Sequence, residues 1–230
     1  LLISGARQVG KTTVAKAFGV DKRFHYLNWD LQEDRLAILD GQRSVSSRLG
    51  REPNQTVVFD EIHKYADWKN FLKGLYDVYQ DLNWEVLATG SARMDTFRKG
   101  GDSLMGRYFH LQMFPLSVAE LLYTDFKEGL IRDPGELEED LWQSLLRFGG
   151  FPEPLLKSNP RFHRQWSRSR QDRLFQEDIR ALGTAFDVAK IEILAEQVIL
   201  NAGSLLNYSS LAKRVRASVE SIQRWITLLE

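Results

Sequence analysis

The chain has 230 residues, 43% of them hydrophobic and 27% charged, which is ordinary for a globular protein and long enough for two domains. Its 31 basic and 31 acidic side chains cancel, so no global field draws the whole molecule to nucleic acid or anionic membrane. The absence of cysteine excludes disulfides, thiolate zinc sites and thiol nucleophiles, and fits a reducing, cytoplasmic setting.

The elements alternate in the first half. Leu1 to Ser4 reads as a short apolar strand, entered without an initiator Met or a signal-peptide pattern, so the chain is expected to be a piece of a longer one. A glycine-containing loop follows, then a helix with Val14, Ala17 and Phe18 on one face, ended by Gly19. Phe24 to Asp30 predicts a second strand and Asp34 to Leu39 a helix, while 41–54 is polar with only a weak pattern. Thr56 to Phe59 is a buried strand that runs into Asp60-Glu61. Behind Asp67 as N-cap, Trp68, Phe71, Leu72, Leu75, Tyr76 and Tyr79 fall at helical spacing. Trp84 to Thr89 and Tyr108 to Phe114 complete a set of short strands separated by helices, the pattern of a parallel sheet covered on both faces. After Pro115 the pattern turns helical, broken at Asp133-Pro134-Gly135 and at Gly149-Gly150-Phe151-Pro152. No apolar run approaches the ~18 residues of a membrane span, so no membrane partner is expected.

Four places carry chemistry. Gly5-Ala6-Arg7-Gln8-Val9-Gly10-Lys11-Thr12-Thr13 joins a strand to a helix. The glycines allow backbone N–H groups to curl round a phosphate, and the helix N-terminus adds its positive dipole end. Lys11 would reach the β- and γ-phosphate oxygens and the Thr12 hydroxyl would ligate Mg²⁺. The later strand Thr56 to Phe59 delivers Asp60 and Glu61 at its C-terminal end, the edge where open α/β sheets bind ligands. Asp60 suits the Mg²⁺ shell and Glu61 suits activation of water for attack on the γ-phosphate. Thr89-Gly90-Ser91 ends a further strand, where a hydroxyl contacts the γ-phosphate or positions the water, unless it simply enters a turn. Arg107, in a loop with Gly100, Gly101 and Gly106, is a candidate finger for charge growing on the γ-phosphoryl oxygens, the alternative being a surface ion pair.

Gly5 to Thr13, then Val57-Val58-Phe59-Asp60-Glu61-Ile62 with Trp68 after it, then Ala88-Thr89-Gly90-Ser91 resemble the prokaryotic AAA+-type ATPases. The second half resembles one branch of them, through Gly106-Arg107, Phe114-Pro115-Leu116-Ser117 with Glu120, Gly149-Gly150-Phe151-Pro152-Glu153 and Glu177-Asp178-Ile179. In that branch the second half is a helical domain of uncharacterised function. The resemblance implies Lys11 and Thr12 as nucleotide and Mg²⁺ contacts, Asp60 as the Mg²⁺ acid, Glu61 as the catalytic acid, and Thr89 or Ser91 in the sensor position. Ala6 stands where the family often has Pro, and base specificity is not legible.

The expected fold is therefore α/β, a three-layer P-loop NTPase core with a parallel sheet over 1–118. An all-helical domain over 119–205 and a truncated winged-helix-like segment over 206–230 follow it. In that last segment Leu211, Ala212, Val215, Ile222, Trp225, Ile226 and Leu229 form two apolar stripes about a turn at 216–218, with Ser218 as cap and Ser221, Arg224 and Thr227 facing out. Such a pair can read DNA, or it packs as a helical hairpin, the reading favoured here. Arg161, Arg164, Arg168, Arg170 and Arg173 could meet a phosphate backbone, although a solvated face is the commoner outcome. His25, His63, His110 and His163 have no metal-ligand spacing and read as packing or surface residues. The expected activity is ATP hydrolysis with Mg²⁺, with ATP and ADP as ligands. A homo-oligomer and DNA stay open as partners, and a nucleotide-gated binding module with negligible turnover is the competing class.

Overall fold

Strand β3 (Gln55–Asp60) is buried along its whole length, as a strand covered by helices on both faces must be. The computed structural model describes residues 1–19, 23–91, 108–123, 133, 135–179 and 187–229. Within them β3 belongs to a five-stranded sheet in the order β2-β3-β4-β1-β5, parallel at every pairing. The other strands are β1 (Leu2–Gly5), β2 (Arg23–Asn28), β4 (Glu85–Gly90) and β5 (His110–Met113). Period-two alternation sorts the strand side chains into two cores. Leu2, Leu27, Val57, Phe59 and Ala88 meet helices α2 (Gln32–Leu39), α3 (Gln42–Leu49) and α4 (Trp68–Tyr79). Ile3, Val58 and Leu87 on the opposite face meet Ala15 of α1 (Lys11–Ala17). The result is the three-layer α/β core expected from the sequence.

Two elements differ from the sequence pattern. Helix α1 buries Lys11 and Ala15, whereas Val14 and Phe18 are each 41% exposed. The phase of this helix is set by Lys11 turning inward, and Ala15 is the next residue on the same face. The polar stretch 41–54 contains α3, whose inward stripe is Val45, Ser46 and Leu49. A serine within that stripe weakens its apolar periodicity, and the Tyr79 hydroxyl bonds Ser46 Oγ at 2.6 Å. Asp67 does precede α4, but its carboxylate accepts from the Asn70 side chain at 2.6 Å rather than from the helix backbone.

The described residues divide into two compact units, Leu1–Ser158 and Asn159–Glu230. The first unit continues past the sheet with α5 (Val118–Leu122), α6 (Glu139–Phe148) and α7 (Pro152–Lys157). Ser117 and Glu120 close a capping box at the start of α5. The two sequence motifs around Leu116 and Gly150 meet: the Leu116 N–H donates to the Gly150 carbonyl at 2.8 Å. A β-carbon on Gly150 would stand 2.2 Å from the Leu116 carbonyl oxygen, so glycine is required by close approach of two backbones. Gly150→Ala is expected to destabilise the protein by about 1–3 kcal/mol, the usual range for overpacking, measured as a lower denaturant midpoint at unchanged m-value.

In the second unit, α8 (Pro160–Arg173) is capped by the Asn159 side chain and winds on into a π-helical turn at Leu174–Ile179. Helices α9 (Val188–Leu200), α10 (Tyr208–Val215) and α11 (Val219–Leu229) enclose a core of Phe175, Ile179, Ile191, Leu194, Leu211, Val215, Ile222 and Trp225, among others. Between α10 and α11, Arg216 adopts a left-handed conformation and Ser218 Oγ accepts the Ser221 N–H at 3.1 Å. Arg224 and Thr227 face out, as the stripe pattern requires. Among the described residues no helix is long and apolar enough to cross a membrane. Arg107 and its neighbouring glycines lie outside the described residues.

Candidate functional site

At the C-terminal edge of the sheet, β1 runs into a loop that takes left-handed conformations at Gln8 (φ 64) and Gly10 (φ 109) before α1 begins. A non-glycine residue held there costs of order 1–3 kcal/mol, and such positions cluster at ligand sites. Val9 anchors the loop, being only 1% exposed. Behind it lies β5, with Met113 and Pro152 against Gly10, so the Phe151-Pro152 motif sits at the back of this loop.

Lys11 is 5% exposed. Its ammonium donates to the carbonyls of Gly5 at 3.0 Å and Ala6 at 2.8 Å, charge-assisted bonds that meet a buried cation's need for acceptors. The next residue, Thr12, donates its hydroxyl to Asp60 Oδ2 at 2.8 Å. Two motifs separated by 48 positions thus share one hydrogen bond.

Asp60 is 2% exposed, and its charge is met by hydroxyls. Thr89 Oγ1 donates to Oδ1, and Oδ2 accepts from both Thr12 and Tyr26, the latter at 2.5 Å. Strand register explains the convergence. Phe59 pairs with Ala88, so the next residues, Asp60 and Thr89, emerge side by side. Asn28 pairs with Asp60, and Tyr26, two residues earlier, shares the same face. Burial first, then the bond to Asp60 and the surrounding carboxylates, pushes the Tyr26 hydroxyl well above the ordinary tyrosine range, so it stays a donor.

Glu61 follows in the left-handed conformation (φ 58, ψ 25), a sharp exit from the strand. Its N–H donates to Thr89 Oγ1 at 3.1 Å. Its carboxylate lies 3.4 Å from Lys64 Nζ and 3.8 Å from His63 Nε2. Lys64 in turn bonds both oxygens of Asp30 at 2.7 Å. The Ser91 N–H donates to His63 Nδ1 at 3.3 Å, while the buried Ser91 Oγ has no hydrogen-bond partner among the described residues.

Lys11, Thr12, Asp60, Glu61, Thr89 and Ser91 therefore gather at one sheet edge, with Thr89's hydroxyl committed to Asp60 and the Glu61 amide. Tyr26, His63 and Lys64 belong to the same cluster and were missed from sequence. For Tyr26 the signal was present in the alternation of β2; for His63 and Lys64 it was only their adjacency to Glu61. The donor set fits a hard divalent cation, since Thr12 and Asp60 offer oxygen alone. Among the described residues no group of three or more His, Cys, Asp or Glu could hold a metal ion.

A family model described as an AAA domain matches residues 1–122, and one described as a domain of unknown function matches 139–230. An uncharacterized protein of Methanocaldococcus jannaschii is 25% identical over 210 residues, 86% of this chain and 46% of its own length. Another from Haemophilus influenzae is 23% identical over 245 residues, 100% of this chain and 59% of its own. The chain thus spans about half the length of these relatives. Among solved structures, AMPPCP-bound DnaA of Aquifex aeolicus matches at 12% identity and TM-score 0.44, over 100% of this chain and 80% of that one. A RuvB structure from Thermotoga maritima matches at 15% and 0.43, over 96% and 76%. ORC1 of Aeropyrum pernix in complex with DNA matches at 17% and 0.38, over 99% and 76%.

Proposed function

Because this chain belongs to the AAA domain family, we propose that it binds ATP with Mg²⁺ at the β1–α1 loop and hydrolyses it to ADP and phosphate. The observation that carries this reading is the Thr12–Asp60 hydrogen bond at 2.8 Å, beside a buried lysine bonded to the loop's own carbonyls. The backbone from Gly5 to Thr13 cradles the phosphates, and Lys11 exchanges its carbonyl partners for β- and γ-phosphate oxygens. Thr12 and Asp60 hold the Mg²⁺ ion, which when bound neutralises charge on the phosphate oxygens.

Glu61 orients a water molecule and takes its proton as the water attacks the γ-phosphorus in line with the departing ADP oxygen. Thr89 holds the Asp60 carboxylate and the Glu61 amide in register, and Ser91, at the end of the same strand, supplies a hydroxyl toward the water or the γ-phosphate. Arg107 is assigned the finger role on its sequence context. We assign the catalytic module to residues 1–118, followed by the helical domain at 119–205 and the helix-turn-helix-like segment at 206–230, with hydrolysis coupled to a conformational or binding event.

Steady-state phosphate release tests the reading. Turnover that requires Mg²⁺ is the expected result, measured with and without duplex DNA. ATP binding without phosphate release would favour a nucleotide-gated binding module, and absence of ATP binding would remove the site altogether.

A further inference from the structure

We propose that Tyr26 is a positioning residue for the Mg²⁺ ion, acting through the Asp60 carboxylate. The inference rests on the reading of this edge as a Mg²⁺–nucleotide site, and it adds to that site a residue from β2, a strand with no other part in it.

Asp60 is a buried carboxylate whose oxygens accept from three hydroxyls, those of Thr12, Tyr26 and Thr89. Such a carboxylate has one fixed orientation only if its donors hold it from more than one side. Thr89 fixes Oδ1 from β4, and Tyr26 fixes Oδ2 from β2 at 2.5 Å. Thr12 stands differently. Its oxygen carries lone pairs besides the proton it gives Asp60, so it can ligate a cation and donate at once. Tyr26 approaches along the sheet face under α1, and Phe24 and the Lys16 ammonium flank its ring at 6.3 Å and 5.1 Å. Its ring therefore has packing of its own, independent of the hydroxyl. It is the hydroxyl of Tyr26 that reaches Asp60, and lone-pair capacity remains on the carboxylate for the ion. Partners of this kind, one bond removed from a metal, set its affinity by about 10–100-fold.

Tyr26→Phe keeps the ring and removes only the donor. Calorimetric titration of ATP into wild type and Tyr26→Phe, across a Mg²⁺ series and in EDTA, separates the roles. The expected result is a Mg²⁺ half-saturation raised about tenfold or more in the variant, with ATP affinity in EDTA unchanged. An identical Mg²⁺ dependence in the two proteins overturns the role of Tyr26 and leaves the site reading standing. A wild type whose ATP affinity ignores Mg²⁺ overturns the site reading and Tyr26 with it. A crystal structure of the wild type with Mg²⁺ and a non-hydrolysable ATP analogue gives a second arm that does not depend on the variant folding. There the Tyr26 hydroxyl should remain within hydrogen-bond distance of Asp60, and a hydroxyl swung clear of it overturns the proposal.

Discussion

Glu61→Gln should lower ATP turnover by about 10²–10⁴-fold, the usual contribution of a general base, while Mg²⁺-ATP still binds. The substitution keeps the side chain's length and shape and removes its ability to accept a proton from water. The backbone should tolerate it. Glu61 sits at φ 58, and the chain already holds a glutamine in the same region at Gln8, φ 64. Loss of the contact with Lys64 at 3.4 Å should matter little for stability, because that lysine is 32% exposed and bonded to Asp30. Thr12, Asp60 and Lys11 are untouched, so calorimetry should give an ATP affinity close to wild type. Phosphate release at the wild-type rate in this variant would mean that another group activates the water.

Lys11→Ala should weaken ATP binding at least about tenfold, a loss of 1.4 kcal/mol or more. The ammonium is already buried and desolvated, bound to the Gly5 and Ala6 carbonyls. Binding therefore exchanges two neutral acceptors for phosphate oxygens that carry charge, and hydrogen bonds between charged partners contribute roughly 1.5–3 kcal/mol each. Alanine at this position supplies neither set. Titration of the variant with ATP at fixed Mg²⁺ is the decisive measurement, and an unchanged dissociation constant would show that the loop backbone alone accounts for affinity.

The sheet was legible because its strands are short apolar runs, each bounded by a change of character, as at Phe59 to Asp60. The pair Asp60-Glu61 was legible for the same reason, since an acid pair at the end of a buried run stands out. The inward face of α1 was not, because a lysine turned in to bond the Gly5 and Ala6 carbonyls outranks Val14 and Phe18, and hydrophobicity alone cannot express that. Nor was α3, where a buried serine bonded to Tyr79 interrupts the apolar stripe. Tyr26 shows a further limit. Alternation placed its side chain on one face, but only the register of β2 against β3 decides that this face ends at Asp60. The meeting of Leu116 with Gly150 depends on two backbones arriving from segments far apart, and a glycine in a sequence does not name its neighbour.

The position of β1 in the sheet sets an order on folding. Strand β1 is an interior one, with Leu2 paired to Ala88 on one side and His110 on the other. Neither neighbour exists until far more of the chain has been made, whereas β2 and β3 can pair at shorter range, Arg23 opposite Gln55. Closing the long loop back to β1 is the slow kind of contact, formed only after its entropy has been lost. Until β4 and β5 arrive, Leu2 and Ile3 lack their partners in the sheet, the situation in which aggregation competes with folding. It also means that the loop between β1 and α1 takes shape only when the sheet closes around it. On the function proposed above, a nucleotide bound there would not template the early chain; it would act at the end, stabilising the completed sheet by an amount that grows with the logarithm of its concentration over its dissociation constant.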